Sequence, residues 1–500
     1  MMKRIDKSVL FLPATLVVCI SILLSAFPET GSMIINFARN FLGNDLGVYY
    51  LIFGIAALCL LVYLAFSRVG KIRLGSKTDK PMNTLTWGIL IFTSTMAADI
   101  LFYSFHEWTY YYNSSMLLDR TVVESEKLLW SSTYPLFHWS FIPWSFYLVL
   151  AVVYAYMFYV AKRQSKQKIS EACRPILNDK VDRWQGKLIN IVAVFGLLCG
   201  TSTTFSVTTP LMSSIVCKLF GLQKSHFISV CILLAIAIVY TFAVLKRNGI
   251  SMIAKLTTIL FSVLIALFFI IGNPRFIIES GVQGIGNMLQ NFVRMSTWTD
   301  PTRATNFPQD WTIFYWAYWI AWCVATPFFI AKISKGRTIR QTIIGGLIAG
   351  LLGTFTSFIT FGGFGMSKLA DGTFNMPELI NEGLSPADCI VELISTSKFS
   401  VVLFIVLLLT MIGLYASTFD ALTDVMSAFS YKKLSIDDTP SKKIKIFWAT
   451  IFIVLPIALL FSDSTTQQIM SMSIIGAFPL TLIMILVVVA FFKDLRRNSK

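Results

Sequence analysis

The sequence predicts an all-α integral membrane protein with twelve transmembrane helices. Three observations carry this prediction. Of the 500 residues, 55% are hydrophobic and only 14% are charged, with a mean hydropathy of +0.70. So few charges cannot cover a water-soluble core of that size, and a membrane domain is the ordinary class that fits. Apolar runs long enough to span recur near 8–26, 47–66, 84–108, 136–161, 188–211, 226–245, 250–272, 311–331, 343–365, 399–428, 446–462 and 468–492, each close to the length a helix needs to cross hydrocarbon. No strand pattern is evident, and most of the 42 Lys and Arg residues lie in every second connecting segment, as the positive-inside rule requires.

Taken in order, the first span follows Met-Met-Lys-Arg-Ile-Asp-Lys without a small-residue cleavage site, so it is expected to be retained. An even number of spans puts both termini on one side, and the basic loops put that side in the cytoplasm. Segments 1–7 and 493–500 are thus expected to be cytoplasmic tails of a multi-pass protein of the cell membrane. The net charge of +16 then sits beside anionic lipid headgroups and does not mark a nucleic-acid surface. The eight cysteines are scattered, mostly within apolar runs, with no metal-ligand spacing. Segment 273–310 is a long outer loop whose middle, Val282–Val293, reads as an amphipathic surface helix. Its Gly284 and Gly286 are too weak a signal for a nucleotide loop, because no strand precedes them. Asn113-Ser114-Ser115 matches a glycosylation sequon, a short pattern that proves nothing alone. No Ser/His/Asp set, metal cluster or phosphate loop argues for an enzyme, and no cofactor is implied.

Four segments carry unusual chemistry. In Phe314–Arg340, Trp316, Trp319 and Trp322 recur every third residue with Tyr315 and Tyr318 between them. On one helix face this is a wall of π-surface, and π-faces bind quaternary ammonium groups, which accept and donate no hydrogen bond. An interfacial aromatic belt is the competing reading. A belt sits at one depth, whereas three Trp over six residues span roughly 9 Å of rise. In the fourth span, Trp139, Trp144 and Tyr147 share an arc of about 140°, with Pro143 expected to distort it. His138 beside them reads first as a satisfied packing residue. In the third span, Asp99 lies among apolar residues and needs a cation, a proton or a water-filled cavity. A salt bridge to Lys255, the obvious intramembrane cation, is the structural alternative. In the tenth span, Tyr415-Ala416-Ser417-Thr418-Phe419-Asp420 offers hydroxyls that suit sodium, although Ser and Thr in membrane helices also bond back to their own carbonyls.

The Trp-rich segment and its end, Ala331-Lys332-Ile333-Ser334-Lys335-Gly336-Arg337-Thr338-Ile339-Arg340, resemble the signature helix of the betaine/choline/carnitine transporter family, with Lys332 in place of its first Arg. Weaker similarity runs from about residue 8 to residue 490. The resemblance implies a LeuT-type fold: two inverted five-helix repeats, 84–272 and 311–492, preceded by two extra helices over 8–66, with interrupted third and eighth spans around a mid-membrane site. It implies an aromatic box of Trp139, Trp144, Tyr147, Tyr318, Trp319 and Trp322, with Tyr318 where many members have Trp. It implies a sodium site at Ser417 and Thr418 with third-span carbonyls near Thr93 and Met96. The sodium-independent exchangers carry fixed Arg or Met groups where this chain has Ser251 and Thr326. The family's glycine-rich third-span motif reads Thr95, Ala97 and Asp99 here, and Asp at that last position resembles the choline-transporting members. A carboxylate there would repel the carboxylate of betaine or carnitine, while choline brings only a cation. Glu107 also matches a family Glu and is expected to cap or tether a helix end. The expected function is therefore ion-coupled import of a quaternary ammonium compound, choline first, with Na+ or H+, the latter through Asp99. The same resemblance implies a homotrimer in a bacterial inner membrane. A betaine or carnitine transporter or exchanger is the alternative within the family. A non-transporting sensor or a channel is the alternative outside it.

Overall fold

The computed structural model describes residues 5–94, 98–114, 123–246, 249–461 and 466–498. Its long helices are α1 (Lys7–Ala26), α2 (Pro28–Arg39), α3 (Gly47–Phe66), α4 (Thr84–Ser94), α5 (Ala98–Tyr112), α6 (Glu124–His138), α7 (Phe141–Tyr159), α8 (Trp184–Phe220), α9 (His226–Leu245), α10 (Gly249–Ile271), α11 (Pro274–Thr297), α12 (Ile313–Trp322), α13 (Thr326–Ile333), α14 (Ile339–Ser357), α15 (Gly363–Ala370), α16 (Ser400–Phe429), α17 (Lys442–Phe461) and α18 (Thr466–Asn498). Among the described residues there is no strand, only isolated bridges.

Among the described residues ten helices are long and apolar enough to cross a membrane, and α12 with α13 adds an eleventh, bent by 55°. The expected third span, 84–108, includes residues 95–97, which lie outside the described residues. Its described halves, α4 and α5, have 11 and 15 residues, each short of a span. The count of twelve is thus an expectation, while the helical membrane architecture stands.

The helices differ in depth within the bundle. The window for α6 and α7 is 94% buried, whereas those for α9 and α10 are 28% and 22% buried. Large apolar side chains such as Phe37, Phe66, Phe242 and Val293 face outward, as expected where lipid replaces water as solvent. The long α8 packs along α18, α10 along α16, and α13 against α7.

The basic segments gather at one end. Arg73 bridges to Thr338, Ile5 to Tyr431 and Lys166 to Leu434. Arg337 lies 4.1 Å over the Trp87 ring and donates to the Met82 carbonyl at 2.8 Å. At the turn between α13 and α14, Gly336 has φ +84°, and a Cβ added there would meet the Asp79–Pro81 backbone. A side chain there would meet both strain and atoms.

The outer segment holds a longer helix than Val282–Val293. α11 starts at Pro274 behind an Asn273 cap and runs 24 residues. It lies on α6, where Asn287 donates to Thr133 Oγ1 at 3.0 Å. Gly284 and Gly286 are helical within it. Asn113 donates to the Pro377 carbonyl at 3.0 Å, and Ser115 lies outside the described residues.

Candidate functional site

Two helix breaks build the site. The Trp-bearing eighth span is interrupted, as the family resemblance implies. α12 ends at Trp322, Cys323–Ala325 turns, and α13 restarts with Pro327 in its first turn. Pro has no N–H to continue the ladder and disfavours helical geometry in the residue before it. The fourth span breaks as well, at Trp139–Ser140 between α6 and α7. Pro143 therefore does not kink a helix interior as expected; it sits in the first turn of α7, where Pro is tolerated. The freed Trp139 carbonyl is not left bare, since Thr354 Oγ1 of α14 donates to it at 2.9 Å.

Between these breaks lies a cavity of about 390 Å³, within the range of small-molecule sites. Asp99, Trp139, Tyr147, Tyr318, Trp319 and Trp322 line it. Trp319 is the hub: its ring centroid is 4.8 Å from Tyr147, 5.4 Å from Trp139 and 5.7 Å from Trp144. Trp144 does not reach the cavity lining. It backs Trp319 from behind and fills the space over Gly350, where an added Cβ would meet its ring at 2.2 Å. Trp316 also leaves the expected wall. It packs against Phe137 and His138 and beside Gly54 of α3. A three-residue repeat drifts about 60° per step on a helix, so the third Trp faces a neighbouring helix.

Asp99 is buried in the first turn of α5, where unpaired helix N–H groups favour a carboxylate. Its Oδ2 accepts from the Tyr318 hydroxyl and, at 3.3 Å, from Thr204 Oγ1. Its partners are hydroxyls, and Lys255 is an exposed residue of α10, so the alternative of an Asp99–Lys255 bridge is not what forms. Tyr318 supplies a hydroxyl that Trp cannot, which ties the two departures, at 99 and 318, to each other.

The cavity runs from this aromatic end to Lys332, Asp420 and Asp424. There Lys445 bridges Asp420 at 3.3 Å and Asp424 at 3.0 Å, and Lys332 lies 3.8 Å from Asp424. Ser417 and Thr418 line the same cavity. Ser417 Oγ donates back to the Gly413 carbonyl at 2.9 Å, the competing reading for such a hydroxyl. The Thr93 side chain and Met96 lie outside the described residues, as does the Ser251 side chain; Thr326 lines the cavity.

Of the two roles expected for Glu107, capping or tethering, capping is corrected. It caps no helix end: α5 continues to Tyr112, and Glu107 is fully buried. It does tether, accepting the Trp139 indole N–H at 2.9 Å. His138 is a satisfied buried residue, 2.7 Å from the Tyr111 hydroxyl and 3.1 Å from Thr312 Oγ1.

Sequence reading missed Thr204 and the mouth ion cluster. The run Thr201-Ser202-Thr203-Thr204, which follows the apolar stretch 191–199 of α8, was a usable signal. The mouth cluster had none, because Lys332, Asp424 and Lys445 come from three separate helices.

A bundle of bilayer-length helices enclosing an aromatic, carboxylate-bearing cavity beside the bent span of α12 and α13 defines a polytopic membrane protein with an internal small-molecule cavity. The family profile described as "BCCT, betaine/carnitine/choline family transporter" matches residues 8–500. The chain belongs to that family, whose members are transporters and not enzymes. It is similar to the glycine betaine transporter OpuD of Bacillus subtilis, 26% identical over 95% of this chain and 91% of that one. It is 26% identical to a carnitine transporter of Acinetobacter baumannii, over 87% of this chain and 79% of that one. It is 24% identical to the osmo-dependent choline transporter BetT2 of Acinetobacter baylyi, over 99% of this chain and 72% of that one.

Proposed function

We propose that this transporter imports choline by ion-coupled alternating access. One observation carries the choice of substrate: a buried carboxylate, Asp99, lines the aromatic cavity, and its side-chain partners among the described residues, Tyr318 and Thr204, are hydroxyls. The site therefore supplies the negative charge itself. A ligand with net charge +1 and a methylated nitrogen matches both the carboxylate and the indole faces. A zwitterion such as betaine or carnitine brings a second carboxylate, and in a low-dielectric cavity Asp99 repels it. The three relatives carry three different substrates at almost equal identity, so overall similarity does not choose among them.

Twelve spans in two inverted five-helix repeats, with both termini cytoplasmic, complete the reading. On that orientation the mouth at Lys332 and Asp424 faces the cytoplasm, and the edge-to-face rings of Trp139 and Tyr315 close the other side. The coupling ion is H+ or Na+. The dry setting of Asp99 favours a proton, and the hydroxyls of Ser417 and Thr418 favour sodium. A homotrimer is the assembly that accompanies this reading.

Uptake of radiolabelled choline into proteoliposomes, with imposed sodium and proton gradients and with betaine and carnitine as competitors, tests the proposal. Accumulation above equilibrium that choline competes best is expected. Binding without accumulation makes the protein a sensor. Preference for betaine removes Asp99 as the selecting group.

A further inference from the structure

Glu107 is a second buried carboxylate on α5, two turns beyond Asp99, and it does not line the cavity. Its Oε2 accepts the Trp139 indole N–H at 2.9 Å, and its Oε1 accepts the Tyr111 hydroxyl at 2.5 Å. The Tyr111 oxygen lies 2.7 Å from His138 Nδ1, and His138 Nε2 lies 3.1 Å from Thr312 Oγ1. Carboxyl, phenol and imidazole thus form one chain. It joins α5 to the end of α6 and to the segment leading into α12. Glu107, Tyr111 and His138 all have 0% exposure.

Among the described residues no Lys or Arg is ion-paired with this chain. From α5 it is faced by Tyr103, His106 and Tyr110, with Asp99 beyond Tyr103. From α6 comes Tyr134, on which Arg294 of α11 acts. From α12 comes Tyr315, stacked on His138 at 4.7 Å. Asp310, next to Trp311, is paired with Arg39. Among the described residues the cation-forming group nearest Glu107 is His138, at 3.8 Å. A lone anion in such a place is costly, and a proton removes the cost.

The proton count is simple. With Glu107 ionised and His138 neutral, the chain carries one negative charge. One added proton makes it neutral overall, whichever end holds it. From His138 the proton reaches Glu107 by a double shift: Nδ1–H passes to the phenol oxygen as the phenol proton passes to Oε1. No bond to any other atom changes.

Trp139 connects this chain to the site. The indole that donates to Glu107 also lines the cavity and packs on Trp319 at 5.4 Å. We propose that Glu107, Tyr111 and His138 form a one-proton latch that positions Trp139 as the lid of the cavity, on the side away from Lys332. The closed lid keeps the chain dry and holds the proton. When the lid opens, water solvates Glu107 and the proton leaves. Linkage then fixes the sign: closing takes up a proton, so acid favours the closed lid and alkali the open one. Glu107 is a positioning residue, because it acts through Trp139 and not on the ligand. The proposal rests on the reading of the cavity as a cation site, and it is separate from any proton on Asp99.

The test is choline counterflow in proteoliposomes, with equal pH on both sides and no ion gradient, from about pH 5 to about pH 9. Wild-type exchange is expected to fall on the alkaline side. Glu107→Gln keeps an acceptor oxygen for the indole but cannot titrate. It should lose the alkaline fall while its KM for choline stays within about twofold. Tyr111→Phe cuts the chain and should move the midpoint. A Glu107→Gln profile identical to wild type overturns the latch. Infrared titration of the wild-type and Asp99→Asn proteins needs no Glu107 variant. A deuterium-sensitive carboxylic acid band is expected to survive in Asp99→Asn, bleach with alkali and shift in Tyr111→Phe. Its absence from both proteins at every pH also overturns the latch. If no quaternary ammonium exchanges at all, the transport reading fails while the infrared result still judges the latch.

Discussion

At the residue scale, the site rests on pairing a π-surface with one carboxylate. Trp319 and Trp322 present indole faces to the cavity, and neither indole N–H has a hydrogen-bond partner in the structure. Trp319→Leu or Trp322→Leu keeps apolar bulk and removes the quadrupole. Choline binding, measured by calorimetry or scintillation proximity, should weaken by roughly 1–2 kcal/mol, about five- to thirtyfold. Unchanged affinity in both variants would reject the box. Asp99→Asn keeps shape and removes charge. It should impair choline uptake nearly as much as Asp99→Gly does, while Asp99→Gly preserves or improves betaine binding. Competition assays on the three proteins decide this, and an Asp99→Asn variant that transports choline normally at every pH makes the carboxylate structural. Tyr318→Phe belongs to the same test: it leaves Thr204 as the side-chain hydroxyl that donates to Asp99, so it should resemble a mild Asp99 variant.

At the element scale, the breaks matter more than the helices. Trp144 braces Trp319 because Gly350 of α14 leaves it room. Gly350→Ala puts a methyl group into a rigid indole ring, and overpacking of this kind costs typically 1–3 kcal/mol. Choline affinity should fall although no lining residue has changed. A variant that binds like wild type would show that the brace is slack. The tenth span offers the ion test. Uptake should rise with external sodium, and the Ser417→Ala, Thr418→Ala double variant should lose that dependence. Full uptake in sodium-free buffer under an inward proton gradient assigns the coupling to protons. The clasp between the loop after α3 and the turn after α13 has its own pH sign. Hydrogen bonds from Lys335 and then Ser76 hold Asp79 down at about 2 from 3.8. Its contribution is therefore complete above the ordinary carboxylate range and is lost as pH falls through about 2. Limited proteolysis at neutral pH should cut the Asp79→Ala loop faster than the wild-type loop.

At the scale of the whole molecule, alternating access requires one group of helices to rock against another about a fixed site. Contacts at the basic end, such as Arg337 on Trp87, tie α13 and α14 to α4, which suits movement as a unit. Protease access to either terminus in sealed vesicles should occur from the cytoplasmic side alone; access from the outside would invert the topology. The sequence by itself determined the helical membrane class, most span positions and the family signature, because bilayer thickness and the cost of bare backbone in lipid write themselves into run length and composition. It also picked out Asp99 and the aromatic segments, because a charge or a Trp cluster within an apolar run is visible without any fold. Tertiary structure alone decided which aromatics face the cavity. Trp316 and Trp144 look equal to Trp319 in sequence, yet one fills a helix contact at Gly54 and the other braces from Gly350. Likewise only the fold brings Lys332, Asp424 and Lys445 to one mouth, and turns Glu107 inward to hold Trp139. The physical reason is that periodicity fixes a residue's angle on its own helix, while facing is set by where neighbouring helices pack and where each helix breaks.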